Sequence, residues 1–97
     1  MSGSTYTVTL THRLLRSEEV LFQNLDGEAV LLDLASETYF GLNEVGTRIW
    51  ELLEASPTLG ELSTQLQSEY DVEPARAEFD VIDLATRLLK AGLASVA

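Results

Sequence analysis

Cysteine is absent from this sequence, and histidine occurs once, as His12. A chain without cysteine has no disulfide and no thiolate nucleophile, and a lone histidine cannot build an ordinary zinc site. Acid pairs such as Asp80 with Asp83 have no nucleophile, histidine partner or glycine-rich phosphate loop to act with. We therefore expect a protein that is not an enzyme and that needs no metal or cofactor.

Basic residues are also scarce, because six Lys and Arg stand against sixteen Asp and Glu, which gives a net charge of −10. This charge repels nucleic-acid phosphates and anionic lipid and attracts basic partners, although it also serves solubility alone. No apolar run approaches the roughly 18 residues that a membrane span needs, and the first residues lack a secretory pattern. We expect a cytoplasmic protein that binds neither nucleic acid nor membrane.

Internal repeats, low-complexity tracts and proline-rich linkers are absent as well. The chain has 97 residues, of which 45% are apolar, so it is long enough to bury one core and too short for several. We expect residues 1–97 to form a single domain.

Strand patterns fill the first half of the sequence. Alternating or apolar runs predict four strands, at residues 5–11, 20–22, 28–34 and 38–42. Asp26 and Gly27 favour the positive φ angles of a tight hairpin turn, and residues 35–37 form a second polar turn. An antiparallel sheet of three to four strands is the expected result.

Helix patterns fill the second half. We predict three helices, over residues 44–55, from residue 59 onward, and over residues 74–91. Asn43 is placed to cap the first, and Thr58 with Glu61 predicts a capping box at the second. Pro74 in the first turn and Gly92 beyond the last bound the third. The expected class is α+β, with the sheet preceding three helices.

The third predicted helix carries two apolar stripes instead of one. One stripe holds Phe79, Ile82, Thr86 and Leu89, the other holds Ala77, Val81, Leu84 and Leu88, and a charged ridge holds Arg76, Asp80, Asp83, Arg87 and Lys90. Two explanations remain open: one stripe packs on the helices and the other on the sheet, or one stripe borders an apolar cleft. If the strand at residues 38–42 lies at a sheet edge, its unpaired N–H and C=O groups make that cleft suitable for an extended peptide.

Other single residues have less specific interpretations. Trp50 is expected in the core. The basic cluster of His12, Arg13 and Arg16 is interpreted as a solvated connection, with contact to an acidic partner as the alternative. Tyr39 alternates with the core-facing residues of its strand, so it is expected to be exposed unless something covers it.

A series of motifs resembles one known family. Residues 39–53 (Tyr-Phe-Gly-Leu-Asn-Glu-Val-Gly-Thr-Arg-Ile-Trp-Glu-Leu-Leu), Asp80-Val81-Ile82 and Lys90-Ala91-Gly92-Leu93 are similar, in order and spacing, to the D protein of pyrroloquinoline quinone biosynthesis and its relatives. No motif is a catalytic signature, and the likeness spans residues 20–93. It implies a winged-helix-like fold that binds the leader of a ribosomally made precursor peptide as a strand added beside the third β-strand and third helix.

The resemblance also implies a site and partners. The peptide-binding positions carried over are Thr38, Tyr39, Phe40, Gly41 and Leu42 on the strand, and Phe79, Ile82, Thr86 and Leu89 on the helix. Glu78 and Ala85 of the same helix complete the predicted binding set. Glu78 is expected to meet a basic side chain, while Val81, Leu84 and Leu88 are assigned to the core.

The implied partners are the precursor leader and a leader peptidase or other modifying enzyme, and the chain is expected to be a monomer or weak homodimer. The stand-alone form found in lasso-peptide pathways is favoured. The alternatives are a peptide chaperone of the quinone type that serves a radical SAM enzyme, and a winged-helix regulator that binds nucleic acid.

Overall fold

A computed structural model of the chain describes residues 8–55 and 57–97. Its elements in chain order are β1 (Leu14–Arg16), β2 (Val20–Leu25), β3 (Glu28–Asp33), β4 (Thr38–Leu42), α1 (Glu44–Leu52), α2 (Leu59–Glu69), α3 (Pro74–Lys90) and β5 (Ala94–Val96). A 3₁₀ turn, Leu53–Ala55, continues α1. The predicted α+β class, with an antiparallel sheet before three helices, is confirmed.

The main sheet is antiparallel and has the order β2-β3-β4. Its first turn contains Asp26 at φ 62° and Gly27 at φ 95°, the left-handed angles for which an Asp-Gly pair is suited. The Asn24 side chain accepts a hydrogen bond from the Gly27 amide at 2.8 Å and so closes the hairpin. At the second turn the Asp33 carboxylate accepts hydrogen bonds from the Ala35 amide and the Ser36 hydroxyl. Both predicted turns are therefore confirmed.

The strand predicted at residues 5–11 is wrong in the part that the structure describes; residues 5–7 lie outside that part. Residues 8–11 contain no strand. Instead, the Leu10 and His12 carbonyls accept hydrogen bonds from the Gly60 and Leu59 amides, at 2.8 and 2.9 Å. The first amides of a helix have no partner within the helix, so this segment satisfies those of α2 and does not join the main sheet.

A second, two-stranded sheet was not predicted. It pairs β1 with β5 in antiparallel register, with Leu15 opposite Ser95. Each strand has three residues, which is too short for an alternating pattern to stand out from its surroundings. This sheet pairs a strand near the N-terminus of the described chain with a strand near its C-terminus.

Arg16 is not part of a solvated connection, which corrects that interpretation of the basic cluster. Its guanidinium lies 5.3 Å from the centre of the Trp50 ring and donates a hydrogen bond to the Trp50 carbonyl at 3.4 Å. Trp50 itself is buried, as predicted. His12 accepts a hydrogen bond from the Thr9 amide through Nδ1 and so stabilises a local turn.

The predicted helix caps are present. Asn43 accepts a hydrogen bond from the Gly46 amide at 2.8 Å, and Thr58 with Glu61 forms both bonds of the capping box. The hydrogen bond from the Thr58 amide lowers the pKa of the Glu61 carboxyl. At the end of α3, Gly92 has φ 76°. The helices therefore begin and end close to the predicted residues.

The core lies between the inner face of the main sheet and the helices. Leu31 of β3 is fully buried, and Val81, Leu84 and Leu88 of α3 are buried as predicted. These apolar contacts fix the rotation of α3 about its own axis.

An ion pair also joins α1 to α2 at the surface. Arg48 Nε and one terminal nitrogen donate to the two carboxylate oxygens of Glu69, at 2.7 and 2.8 Å. This fork lowers the pKa of Glu69 to about 2 and raises that of Arg48 above its ordinary value.

Candidate functional site

Strand β4 forms one edge of the main sheet. It pairs only with β3 among the described residues, with Phe40 opposite Leu31 and Gly41 opposite Val30. The other edge of the sheet is β2. The first helix, α1, directly follows β4 in the chain. An edge strand presents alternate N–H and C=O groups that no neighbouring strand satisfies. The prediction of an edge at Thr38–Leu42 is confirmed in its bounds and in its position.

A pocket of about 410 Å³ separates the end of β4 and the start of α1 from α3. The wall on the β4 and α1 side is formed by Gly41, Leu42, Asn43, Val45, Gly46 and Ile49, and the wall on the α3 side by Arg76, Asp80, Asp83, Leu84 and Arg87. A second pocket of about 350 Å³ shares Gly41, Leu42 and Asn43 and extends to the β2–β3 hairpin. The first pocket lies beside the open edge, and we call it the edge groove; the second lies across the end of the sheet.

The α3 wall of the edge groove is charged and held in place by its own ion pairs. Arg76 lies 3.3 Å from Asp80, and Arg87 lies 3.2 Å from Asp83. The Arg87 guanidinium is also 5.9 Å from the centre of the Phe40 ring, so it reaches from α3 to β4. Arginine stands at both ends of this wall and aspartate at its middle. The wall can therefore offer donors at two points and acceptors between them.

The predicted helix positions do not line this groove. Glu78 and Phe79 are exposed, with Phe79 at 60%, and Ile82 and Thr86 are half-buried, but none of the four is a pocket residue. The prediction that Leu89 faces outward is wrong, because Leu89 is 7% exposed.

Ala85 is buried too, next to Leu89 in the core. Both residues adjoin the Val81–Leu88 side of the helix, so the apolar neighbours of α3 cover them. Neither is available to a peptide in this structure.

The predicted strand positions divide between the two faces of the sheet. Tyr39 is 74% exposed, as its alternation indicated, and Thr38 and Gly41 are exposed as well. Phe40 is half-buried against the core and Leu42 is buried, so these two face inward. Only the backbone and the Leu42 side of the strand adjoin the edge groove.

Sequence reasoning missed the charged ridge as the groove wall. At about 100° per residue, Asp80 is about 40° and Arg87 about 60° from Leu84, whereas Phe79 is about 140° away. Leu84 belongs to the predicted core stripe and also lines the groove. The residues next to Leu84 on the helix surface therefore form the rest of the α3 wall. The i,i+4 spacing of Arg76 with Asp80 and of Asp83 with Arg87 was the available signal.

The described residues also contain a cavity on the other side of α1. A cavity of about 420 Å³ lies between the end of α1 and α2, away from β4, and is bordered by Arg13, Leu52 and Gln65. Residues 8–55 and 57–97 contain no group of three or more potential metal ligands among His, Cys, Asp and Glu. In the same residues, no helix is long and apolar enough to cross a membrane.

Comparisons with known proteins agree on the fold. A search of curated proteins gives no match. Two solved structures are similar to this chain, each with a TM-score of 0.75. TbiB1 in complex with the TbiA(beta) leader peptide is 38% identical, over 82% of this chain and 93% of that one. Lasso peptide synthetase B1 complexed with the leader peptide is 32% identical, over 84% of this chain and 96% of that one.

A family model gives the same assignment. Residues 28–94 match the model of coenzyme PQQ synthesis protein D, PqqD. The matched range begins at β3 and ends at β5, so it includes β4, α3 and the whole edge groove. The chain belongs to the PqqD family.

Proposed function

We propose that this protein captures the leader segment of a ribosomally made precursor peptide and presents it to a separate protease or modifying enzyme, with no chemistry of its own. The observation that carries the proposal is the open edge of β4 beside the edge groove. The leader lies in extended form along β4 and extends the main sheet by one strand. Residues 1–97 act as one recognition domain, as a monomer or weak homodimer in the cytoplasm.

The backbone of β4 supplies the first part of the interaction. An extended peptide that aligns with an edge strand satisfies the free N–H and C=O groups of that strand and its own at the same time. Because these groups are the same in every residue, the ladder gives affinity and direction with little dependence on sequence. Gly41 adds no side chain at the point where the strand meets both pockets.

The α3 wall supplies the selectivity. A strand beside β4 points alternate side chains toward α3, where Arg76 and Arg87 are separated by Asp80 and Asp83. A leader with one basic side chain between two acidic or polar ones complements this order. Leu42 and Leu84 border the same space and accept an apolar side chain.

The similar structures support this assignment of the ligand. Both were determined with a leader peptide bound, and both cover more than four-fifths of this chain. One of the two is a lasso peptide synthetase B1, which favours that pathway type over a quinone-type chaperone for a radical SAM enzyme. A winged-helix regulator is disfavoured, because the groove wall has as many acidic as basic residues and the whole chain has a net charge of −10.

Isothermal titration calorimetry with synthetic peptides tests the proposal. The leader half of the precursor encoded beside this protein should bind with a free energy of roughly −8 to −12 kcal/mol, which corresponds to micromolar to nanomolar affinity. The follower half of the same precursor and a leader of shuffled sequence serve as controls and should give no binding. A leader that gives neither heat nor competition would refute the proposal, and retention on duplex DNA that falls with salt would favour the regulator.

A further inference from the structure

The side of the main sheet that faces away from the helices, here called the outer face, is apolar and uncovered. Alternation along the strands puts Leu21 of β2, Leu32 of β3 and Tyr39 of β4 in one row across it, since each is directly opposite the next. Leu21 is 54% exposed and Tyr39 is 74% exposed. No other described element covers this row, so it is an apolar strip that crosses all three strands.

Two further leucines enlarge this strip. Leu25, at the end of β2, is 53% exposed and lies on the same side by alternation. Leu34 directly follows β3, is 50% exposed, and continues the ladder because its amide donates to the Glu19 carbonyl at 2.9 Å. Val30 lies half-buried in the middle of the face, between Gln23 of β2 and Gly41 of β4. Contiguous apolar surface of this kind is uncommon on a protein that contacts only water.

The border of the outer face has a single sign of charge. Residues 18–42 contain six acidic residues and no Lys, Arg or His. Five of the six are exposed, namely Glu18, Glu19, Asp26, Glu28 and Glu37. An apolar centre with an acidic border selects a partner with an apolar centre and a basic border.

We propose that the outer face is a second docking surface, for a folded protein whose contact patch is apolar and bordered by lysine or arginine. Two copies of this chain would oppose acid to acid across the contact, so a homodimer through this face is disfavoured. Nucleic acid and anionic lipid are repelled for the same reason.

The outer face is continuous with the edge groove. A strand added beside β4 extends the sheet, and its outward side chains lie next to Tyr39 and Gly41 on this same face. A protein docked on the outer face therefore contacts the captured leader and its carrier together. This step rests on the proposed function, whereas the docking surface itself does not.

The test uses a short helical probe peptide with leucine on one face and lysine on the other. Added to the ¹⁵N-labelled full chain, it should shift the amides of Leu21, Val30 and Leu32, and a probe with glutamate in place of lysine should not. Raising the NaCl concentration from about 50 mM to about 300 mM should weaken the binding.

Matched variants identify the surface that the probe uses. Leu21→Ser should weaken probe binding about tenfold, because it removes an apolar side chain from the centre of the contact. Leu15→Ser is the control, because Leu15 is similarly exposed but lies on β1 in the other sheet. The double variant Glu19→Gln, Glu28→Gln should reduce the salt dependence of probe binding. The double variant Glu73→Gln, Glu78→Gln, at the start of α3, makes the same change of net charge elsewhere and should leave that dependence unchanged.

Several results would overturn the proposal. One is an equal loss of probe binding in Leu21→Ser and Leu15→Ser. Another is equal binding of the lysine and glutamate probes, and a third is amide shifts confined to β4 and α3. A homodimer that Leu21→Ser dissociates would identify a second copy as the occupant instead. Leader binding measured on Leu21→Ser separates the two proposals: it should be unchanged, because β2 is the strand farthest from the edge groove.

Discussion

The two long sides of α3 face different surroundings and have opposite chemistry. One side, with Val81 and Leu88, is buried against the rest of the core. The other, with Asp80 and Arg87, borders the edge groove and carries charges that are exposed, apart from the half-buried Asp80. Under the proposed function, substitutions on the buried side should alter folding and substitutions on the groove side should alter binding.

The largest effect is expected on the buried side. Leu88→Asp should lower the free energy of unfolding by more than about 4 kcal/mol, because it places an unpaired carboxylate in the core. Urea denaturation checks this value. Phe79→Asp, at an exposed position of the same helix, is the control and should cost less than about 1 kcal/mol. Similar losses in the two variants would contradict the division of the helix.

The next effect is expected on the groove side and concerns binding. Arg87→Glu should weaken leader binding about tenfold or more, because it reverses a charge in the wall and removes the contact with Phe40. The unfolding midpoint should change little. Lys90→Glu makes the same change of charge on the same helix, outside the pocket lining, and should leave the affinity nearly unchanged. If both variants lose affinity equally, net charge and not the groove governs binding.

The surface pair that joins α1 to α2 tests how much charge contributes to stability away from the groove. Glu69→Gln should cost about 1 kcal/mol near neutral pH, since the fork with Arg48 is partly exposed and screened by water. The Glu69 pKa falls from its ordinary 4.5 to about 2, so this contribution is full above pH 4.5 and is lost as the pH falls through about 2. Urea titrations of both proteins from pH 6 to pH 2 should show the difference shrink. A difference in unfolding free energy that grows toward low pH would contradict a stabilising ion pair at Glu69.

The smallest effect is expected at the stripe that the sequence favoured. Phe79→Ala should change leader affinity by less than about twofold, because Phe79 does not line the pocket. Fluorescence anisotropy with a labelled leader measures this change. A tenfold loss would show that the leader extends over the Phe79 side of α3 and would restore the predicted stripe as part of the site.

Local features of the fold were predictable from the sequence, and distant pairings were not. Asn43, Thr58 and Glu61 cap the helices as expected, and Asp26 with Gly27 makes the expected hairpin, because each interaction joins residues at most three positions apart. The β1–β5 ladder joins opposite ends of the described chain and left no pattern in either short segment. The same limit explains why residues 8–11 were misassigned, since their carbonyls serve α2.

The sequence predicted the β4 side of the candidate site but not its α3 side. The edge strand Thr38–Leu42 follows from its pattern and from the family resemblance, and the structure has it at the edge. The groove side of α3 was not predicted, because a charged ridge is typical of a solvated helix face and does not indicate which strand it borders. Leu89 and Ala85 turned out to belong to the core, and the ridge of Arg76 to Arg87 turned out to border β4.

The sequence by itself determined where the three helices and β4 begin, which residues are apolar enough for the core, and that residues 18–42 carry only negative charge. These properties are local or additive, so they can be read without knowing what lies opposite. The tertiary structure alone decided which side of α3 borders the open edge and which face of the sheet stays uncovered. The first depends on how α3 packs against α1 and α2, and the second on which face of the sheet α1 covers. Both are fixed by the joint packing of residues far apart in the chain.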